Sequence, residues 1–174
     1  MTPPTTDRPA GDAGRIELRP ATDDDRPFLL AVYAGTRTEE LALVPWTDEQ
    51  TDAFLGMQFD AQDSWYRQIY PDGQFLVVVL DGNPVGRLYL ARGEAEIRIV
   101  DIALLPEHRS QGIGSRLLED ILAAADRDRL PVTLRVEPWN PARRLYDRLG
   151  FELQEKGEVY DTLIRPARQL NTAS

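Results

Sequence analysis

Residues 97 to 105 read Ile-Arg-Ile-Val-Asp-Ile-Ala-Leu-Leu, a β-branched run that stops at Pro106, and a few residues later Gly112 and Gly114 stand before a helical repeat. Such a run is long and apolar enough to be a central strand of a sheet. Leu117, Leu118, Ile121, Leu122 and Ala125 recur at helical spacing, which predicts a helix over about Gln111 to Arg127. A buried strand feeding a glycine turn that opens a helix narrows the fold to sheet-and-helix layers and sets a local chemistry. The first N–H groups of the helix have no partner within it, the dipole favours negative charge, and glycines let a ligand approach the backbone closely. A pyrophosphate is the natural guest.

The rest of the chain fits around this unit. Ile16 to Arg19 alternates apolar and polar before Pro20, a short edge strand. A helix starts at Thr22, with Asp23 to Asp25 at the positive end of its dipole and Phe28, Leu29, Val32 and Tyr33 on one face. A second helix runs from Thr47 through Ile69 to Pro71-Asp72-Gly73. Phe75 to Leu80 and Val85 to Leu90 flank Asp81-Gly82-Asn83, a hairpin. Val132 to Val136 is a strand, Asn140-Pro141 starts a helix closed by Gly150, and Phe151 to Gln154 and Val159 to Ile164 finish as strands. The fold class is α/β (α+β), a single domain with a mixed central sheet of about seven strands flanked by about four helices. Residues 1–14, rich in Pro and Gly, read as a disordered leader, 15–168 as the domain and 169–174 as a flexible tail.

Composition removes whole reaction classes. With no cysteine there is no disulfide, no thiolate metal site and no thiol nucleophile, and a single histidine, His108, leaves no multi-histidine metal cage. No metal is expected. The 29 acidic against 20 basic residues give a net charge of −9, which disfavours nucleic acid and tolerates a cationic substrate such as an amine. No stretch is apolar enough for a membrane span or a signal peptide, so a cytoplasmic protein without a membrane partner is expected.

The glycine turn carries more than two glycines. Pro106-Glu107-His108-Arg109 leads into it, and it matches Q/R-x-x-G-x-G/A through Arg109, Gly112 and Gly114. Downstream stands Asn140-Pro141-Ala142-Arg143-Arg144-Leu145-Tyr146-Asp147-Arg148-Leu149-Gly150-Phe151. Together these resemble the two signatures of the GNAT N-acetyltransferase superfamily, and the element order agrees with that fold from Ile16 to about Ile164.

The resemblance implies an acyl-CoA-dependent N-acyltransferase, with acetyl-CoA as donor and a small-molecule or peptide amine as acceptor, joined by direct attack in a ternary complex. The backbone of Ile102, Ala103 and Leu104 would pair with the pantetheine arm. The amides of Arg109, Ser110, Gln111, Gly112, Ile113, Gly114 and Ser115 would hold the pyrophosphate, and an N–H near Leu104 would face the developing oxyanion. Tyr146 would protonate the leaving thiolate, although helical spacing also fits a core aromatic. Asn140 stands six residues before Tyr146 where the family more often has seven, so it either contacts the cofactor or only caps its helix.

For a general base two carboxylates offer themselves. Strict alternation puts Glu96, Arg98, Val100, Ile102 and Leu104 on one face of the strand and Ile97, Ile99, Asp101, Ala103 and Leu105 on the other. Glu96 reads as a base or a solvated strand end. Asp101 among apolar residues needs a partner, which Arg98 could be only if the strand bulges. By family analogy the acceptor pocket is walled by Arg37, Glu39, Glu40, Trp46, Gln58, Phe59, Gln62 and Tyr66. Two rivals stand beside the enzyme: a catalytically silent acyl-CoA-binding module, and an unrelated α/β phosphate binder. A homodimer through the late strands is conceivable and not required by their residues.

Overall fold

The computed structural model describes residues 14–169, so the expected leader (save Gly14) and most of the expected tail lie outside the described residues. The elements are β1 (Ile16–Pro20), α1 (Arg26–Gly35), α2 (Thr38–Leu41), α3 (Asp48–Ile69), β2 (Gln74–Leu80), β3 (Asn83–Arg92), β4 (Ile97–Leu104), α4 (Ile113–Asp128), β5 (Val132–Val136), α5 (Arg143–Arg148), β6 (Glu152–Glu155) and β7 (Asp161–Arg165). They follow the expected order. The one-turn α2 is additional, Asp23–Asp25 form a 3-10 turn ahead of α1, and α4 starts two residues later than periodicity suggested because Gly112 is its left-handed N-cap.

The seven strands form one sheet in the order β1-β2-β3-β4-β5-β7-β6. β4 and β5 run parallel, and the other neighbours are antiparallel. Both faces are covered, which is why β2 reads as a continuous apolar run instead of an alternating one. Val77 and Val79 pack with Leu29, Tyr33, Leu55 and Phe59 from α1 and α3. Val78, between them, joins Ile97, Ile99, Leu117, Leu118, Ile121 and Leu122 in the core under α4. At about 25 cal/mol per Å², burying a leucine or isoleucine of these cores contributes roughly 1.5 to 3 kcal/mol relative to exposure.

Two departures from regularity shape the centre of the sheet. Tyr89 pairs with Asp101 and Leu90 with Ile99, which leaves Val100 as an extra residue in β4. This bulge corrects the strict alternation expected for the strand. Ile97 and Ile99 lie in the α4 core, Ile102 and Leu104 pack against that same core, and Asp101 turns to the opposite face, where Tyr66 of α3 donates to it. The second departure is a wedge. β4 pairs with β3 as far as Leu104, but with β5 only through Ile97, Arg98 and Ile99. Beyond Ile99 the two parallel strands part.

Candidate active site

The wedge opens into a cavity of about 430 Å³ lined by β4 from Arg98 to Ala103, by Leu134 to Glu137, by α1, α2 and α3 on one side and by Asn140 and Tyr146 on the other. Of the three strand residues singled out from sequence, Ile102 and Ala103 line it and Leu104 does not. The N–H of Leu105 donates to the carbonyl of Val85 on β3 at 2.9 Å. In an extended strand the N–H of Leu104 therefore points to the opposite edge, into the wedge.

The turn after β4 is tied down by side chains and by two backbone bonds, from the His108 N–H to the Leu105 carbonyl at 3.0 Å and from the Arg109 N–H to the Pro106 carbonyl at 3.2 Å, which takes Arg109 out of the expected set of free amides. Arg109 donates through Nε to the Leu104 carbonyl at 3.1 Å and through Nη2 to that of Gly35 at 3.1 Å, clipping the turn to the end of α1. Gln111 donates to the Glu107 carbonyl at 2.8 Å. Ser110 and Gly112 take left-handed φ values of 59° and 82°, the second of which glycine adopts without strain. Ile113 is buried and anchors the helix. The first α4 N–H with a helical partner is that of Arg116, to Gly112 at 3.1 Å. The N–H groups of Ile113, Gly114 and Ser115 thus have no intrahelical acceptor, and no side chain caps them. Gly114 has an ordinary helical φ, and a Cβ built on it meets nothing within 4 Å. Neither backbone conformation nor protein packing calls for glycine there, which costs a helix up to about 1 kcal/mol. It leaves open space beside the three free amides, a donor set of the kind that accepts a diphosphate.

Tyr146 lines the cavity and is also a core residue, 7% exposed, with its ring edge-on to Phe151 at 5.6 Å. The reading as a core aromatic holds, and the same residue also lines the cavity. Burial, with a smaller effect from the charge of Asp101, pushes its phenol up to about 12, so it stays protonated at neutral pH. Asn140 also lines the cavity, and its Oδ1 accepts the Ala142 N–H at 2.9 Å, a turn ahead of α5, which starts later than expected at Arg143 with Ala142 as its N-cap and no side-chain cap.

Asp101 has the partner its surroundings demand, and that partner is Arg87, not Arg98. Arg87, 2% exposed, donates through Nη2 to Oδ2 at 2.8 Å and through Nε to Oδ1 at 3.3 Å. It also donates to Gln62 Oε1 at 3.0 Å. Tyr66 adds a donor to Asp101 Oδ2 at 3.3 Å. Burial opposes the charge on Arg87, but the ion pair with Asp101 outweighs it and the guanidinium is held above its usual range. Burial first, and then the negative charge of Asp101, likewise push the Tyr66 phenol up. Glu96 lies apart. It meets Arg98 at 3.4 Å beside a second, shallower cavity of about 400 Å³ bordered by Ile69 to Gly73. It does not line the main cavity.

Of the acceptor-wall residues read from sequence, Arg37, Glu40, Gln62 and Tyr66 line the cavity and Glu39, Trp46, Gln58 and Phe59 do not. Phe59 is buried under α1, Gln58 accepts from Tyr33 at 3.0 Å, and Trp46 packs on Phe54 at 4.9 Å. Sequence reasoning missed Arg87, Tyr33, Trp65, Arg135 and Tyr160. For Arg87 a signal existed: a lone charge inside the apolar run Val85 to Leu90 needs a buried counter-charge as much as Asp101 does. Among the described residues no group of acidic or histidine side chains could hold a metal ion, and no helix is long and apolar enough to cross a membrane.

A parted parallel strand pair, followed by an uncapped glycine turn, thus opens a cavity lined by a buried tyrosine. The chain belongs to the acetyltransferase (GNAT) family, whose profile matches residues 36–151. It is 32% identical over 119 residues to the mycothiol acetyltransferase of Clavibacter michiganensis subsp. michiganensis, covering 67% of this chain and 34% of that protein. It therefore spans about a third of that relative's length. The fold is shared with the PaiA N-acetyltransferase of Thermoplasma acidophilum, solved in complex with coenzyme A, at TM-score 0.66 and 18% identity over 87% of this chain and 99% of that one. An acetyltransferase from Thermus thermophilus superposes at TM-score 0.63 with 22% identity, over 87% and 96% of the two chains.

Proposed function

We propose that the chain is an acyl-CoA-dependent N-acyltransferase that moves acetyl from acetyl-CoA to a primary amine by direct attack within a ternary complex. The observation that carries this reading is the unpaired β4 edge beyond Ile99, which leads from the free amides around Gly114 to Tyr146. Strand-like pairing of the pantetheine arm along Ile102 to Leu104 would bring the thioester into the cavity. The amides from Ser110 to Ser115 would face the pyrophosphate, while that of Arg109 is bonded to Pro106.

In the reaction the amine nitrogen bonds to the thioester carbonyl carbon, the C–S bond breaks, and its electron pair leaves on sulfur. The N–H of Leu104 would stabilise the carbonyl oxygen as it gains charge. Tyr146 donates its phenolic proton to the departing sulfur. A free thiol ionises near 8.5, well below this phenol, but burial that raises Tyr146 also raises a thiol whose thiolate would form beside it. The proton lost by nitrogen passes to Asp101, whose Oδ1 accepts only one hydrogen bond, or to water. Glu96, outside the cavity, has no part in this scheme.

The test begins with calorimetric titration of acetyl-CoA against 3′,5′-ADP, followed by a screen of amines for thiol release. Acetyl-CoA should bind about tenfold or more tighter than the ADP, because only it reaches the β4 edge. Equal affinity would remove the strand contacts and the reading with them. Tyr146→Phe should cut kcat by about 10²-fold or more with acetyl-CoA affinity unchanged. Binding without thiol release from any amine would leave an acyl-CoA-binding module.

A further inference from the structure

The charge of the cavity runs against that of the chain. The whole sequence has 29 acidic and 20 basic residues, yet the cavity wall holds four arginines, Arg37, Arg87, Arg98 and Arg135, against the carboxylates Glu40, Asp101 and Glu137. Arg87 is fully engaged with Asp101 and Gln62. The other three are not matched in this way. Arg98 meets Glu96 only at 3.4 Å, and Arg135 lies over the Tyr160 ring at 5.3 Å. Arg37 reaches Glu40 at 3.4 Å, with the Glu40 side chain 66% exposed, and stacks over Tyr33 at 5.5 Å. Its Nε is buried without a hydrogen-bond partner.

A guanidinium held against an aromatic ring, charged, facing a cavity and with a buried donor unused is arranged to receive a planar two-oxygen anion. In a chain with surplus carboxylates, its side-chain partner is only the exposed Glu40 at 3.4 Å, a long contact that a ligand carboxylate can displace. Resting on the acyltransferase reading above, we propose that the acceptor is a primary amine that also bears a carboxylate, and that Arg37 recognises the carboxylate. Arg98 and Arg135 add positive potential to the same wall, which opposes acceptors whose charge is purely cationic. The carboxylate can belong to a free amino acid or to an acidic residue at a peptide N-terminus, since both present the same pair of groups.

The experiment is steady-state kinetics on matched acceptors that differ only in that group: glycine and glycinamide, β-alanine and β-alaninamide, and Glu-Ala-amide and Gln-Ala-amide. The carboxylate member should show kcat/KM about tenfold or more above its amide, although the amide's amine loses its proton more readily. A preference confined to the dipeptide pair assigns a peptide acceptor, and one confined to the free amino acids a metabolite. Arg37→Gln should erase the preference by raising KM for the carboxylate member about tenfold more than for its amide, while KM for acetyl-CoA stays unchanged. Arg37→Lys should restore part of it. Amides used as well as carboxylates would overturn the proposal. So would an Arg37→Gln variant whose KM rises for acetyl-CoA instead, which would assign Arg37 to the phosphates of the donor. Absence of acetyl-CoA binding to the parent protein would overturn the acyltransferase reading itself, and this inference with it.

Discussion

Burial and hydrogen bonding move proton affinities in opposite directions at two residues of this protein. Tyr146 keeps its proton because its phenolate would be buried near Asp101. Asp25 gives its proton up because Arg19 donates to both its oxygens at 2.8 Å and the Thr22 N–H to one at 2.7 Å. Hydrogen bonding from Arg19 is the main cause, and the carboxyl falls from 3.8 to about 2. A carboxyl with a lowered folded-state pKa stabilises the fold fully above its unfolded value and loses that contribution as pH falls through the folded one. Asp25 should therefore contribute about 1 to 2 kcal/mol at pH 7, fading as pH falls from about 4 to about 2. Asp25→Asn should lower the urea midpoint at pH 7 by that amount and flatten the acid limb in this window. A parent and variant that lose stability in parallel between pH 4 and 2 would exclude the role. Reading Asp23 to Asp25 as capping from sequence was right for Asp25 but incomplete, since its bond to Arg19 fastens β1 to the turn before α1.

At the scale of elements, the turn from β4 into α4 separates what folding wants from what a ligand wants. Alanine at position 114 suits a helix better than glycine and meets no atom within 4 Å. Gly114→Ala should raise stability by up to about 1 kcal/mol while weakening acetyl-CoA binding about tenfold, as the methyl occupies space beside the free amides. Thermal melts and calorimetry on the one variant give both readings, and unchanged affinity would remove the turn from the binding site. This turn was legible in the sequence because its signals are local: a β-branched run, two glycines, an apolar stripe. The face of Asp101 was not. It depends on the bulge at Val100, which is set by the register of β4 against β3, and register is a property of two strands. The choice of Arg87 as partner follows from the same pairing. Arg87 stands opposite Ala103, one diagonal step from Asp101, on a strand that sequence reasoning treated only as half of a hairpin. The acceptor wall was half legible for a related reason: helical spacing gives a shared face but not which turn of that face meets the sheet.

Over the whole molecule, the last strand lies inside the sheet. β7 sits between β5 and β6, so the sheet closes only when β7 has inserted. A buried ion pair marks that closure. Arg165 of β7 is 4% exposed and Asp126 of α4 is 9% exposed. The guanidinium bonds both carboxylate oxygens, through Nη1 to Oδ1 and at 2.9 Å through Nη2 to Oδ2. The Arg168 N–H adds a third bond to Asp126 at 2.7 Å. Hydrogen bonds from Arg165 are the main reason the Asp126 carboxyl sits below its usual range. Attraction within such a pair is largely cancelled by desolvation, so the pair itself adds little over an apolar replacement, whereas removing one member strands a buried charge at a cost of about 3 to 5 kcal/mol. Asp126→Asn should therefore destabilise the protein strongly, by about 2 to 4 °C in Tm for each kcal/mol lost. The double variant Asp126→Leu with Arg165→Met should recover most of the loss. Differential scanning calorimetry of the three proteins decides the point. A single variant that melts with the parent would show that β7 is held by its strand pairing alone, and a double variant no more stable than the single would show that the ion pair itself adds net stability.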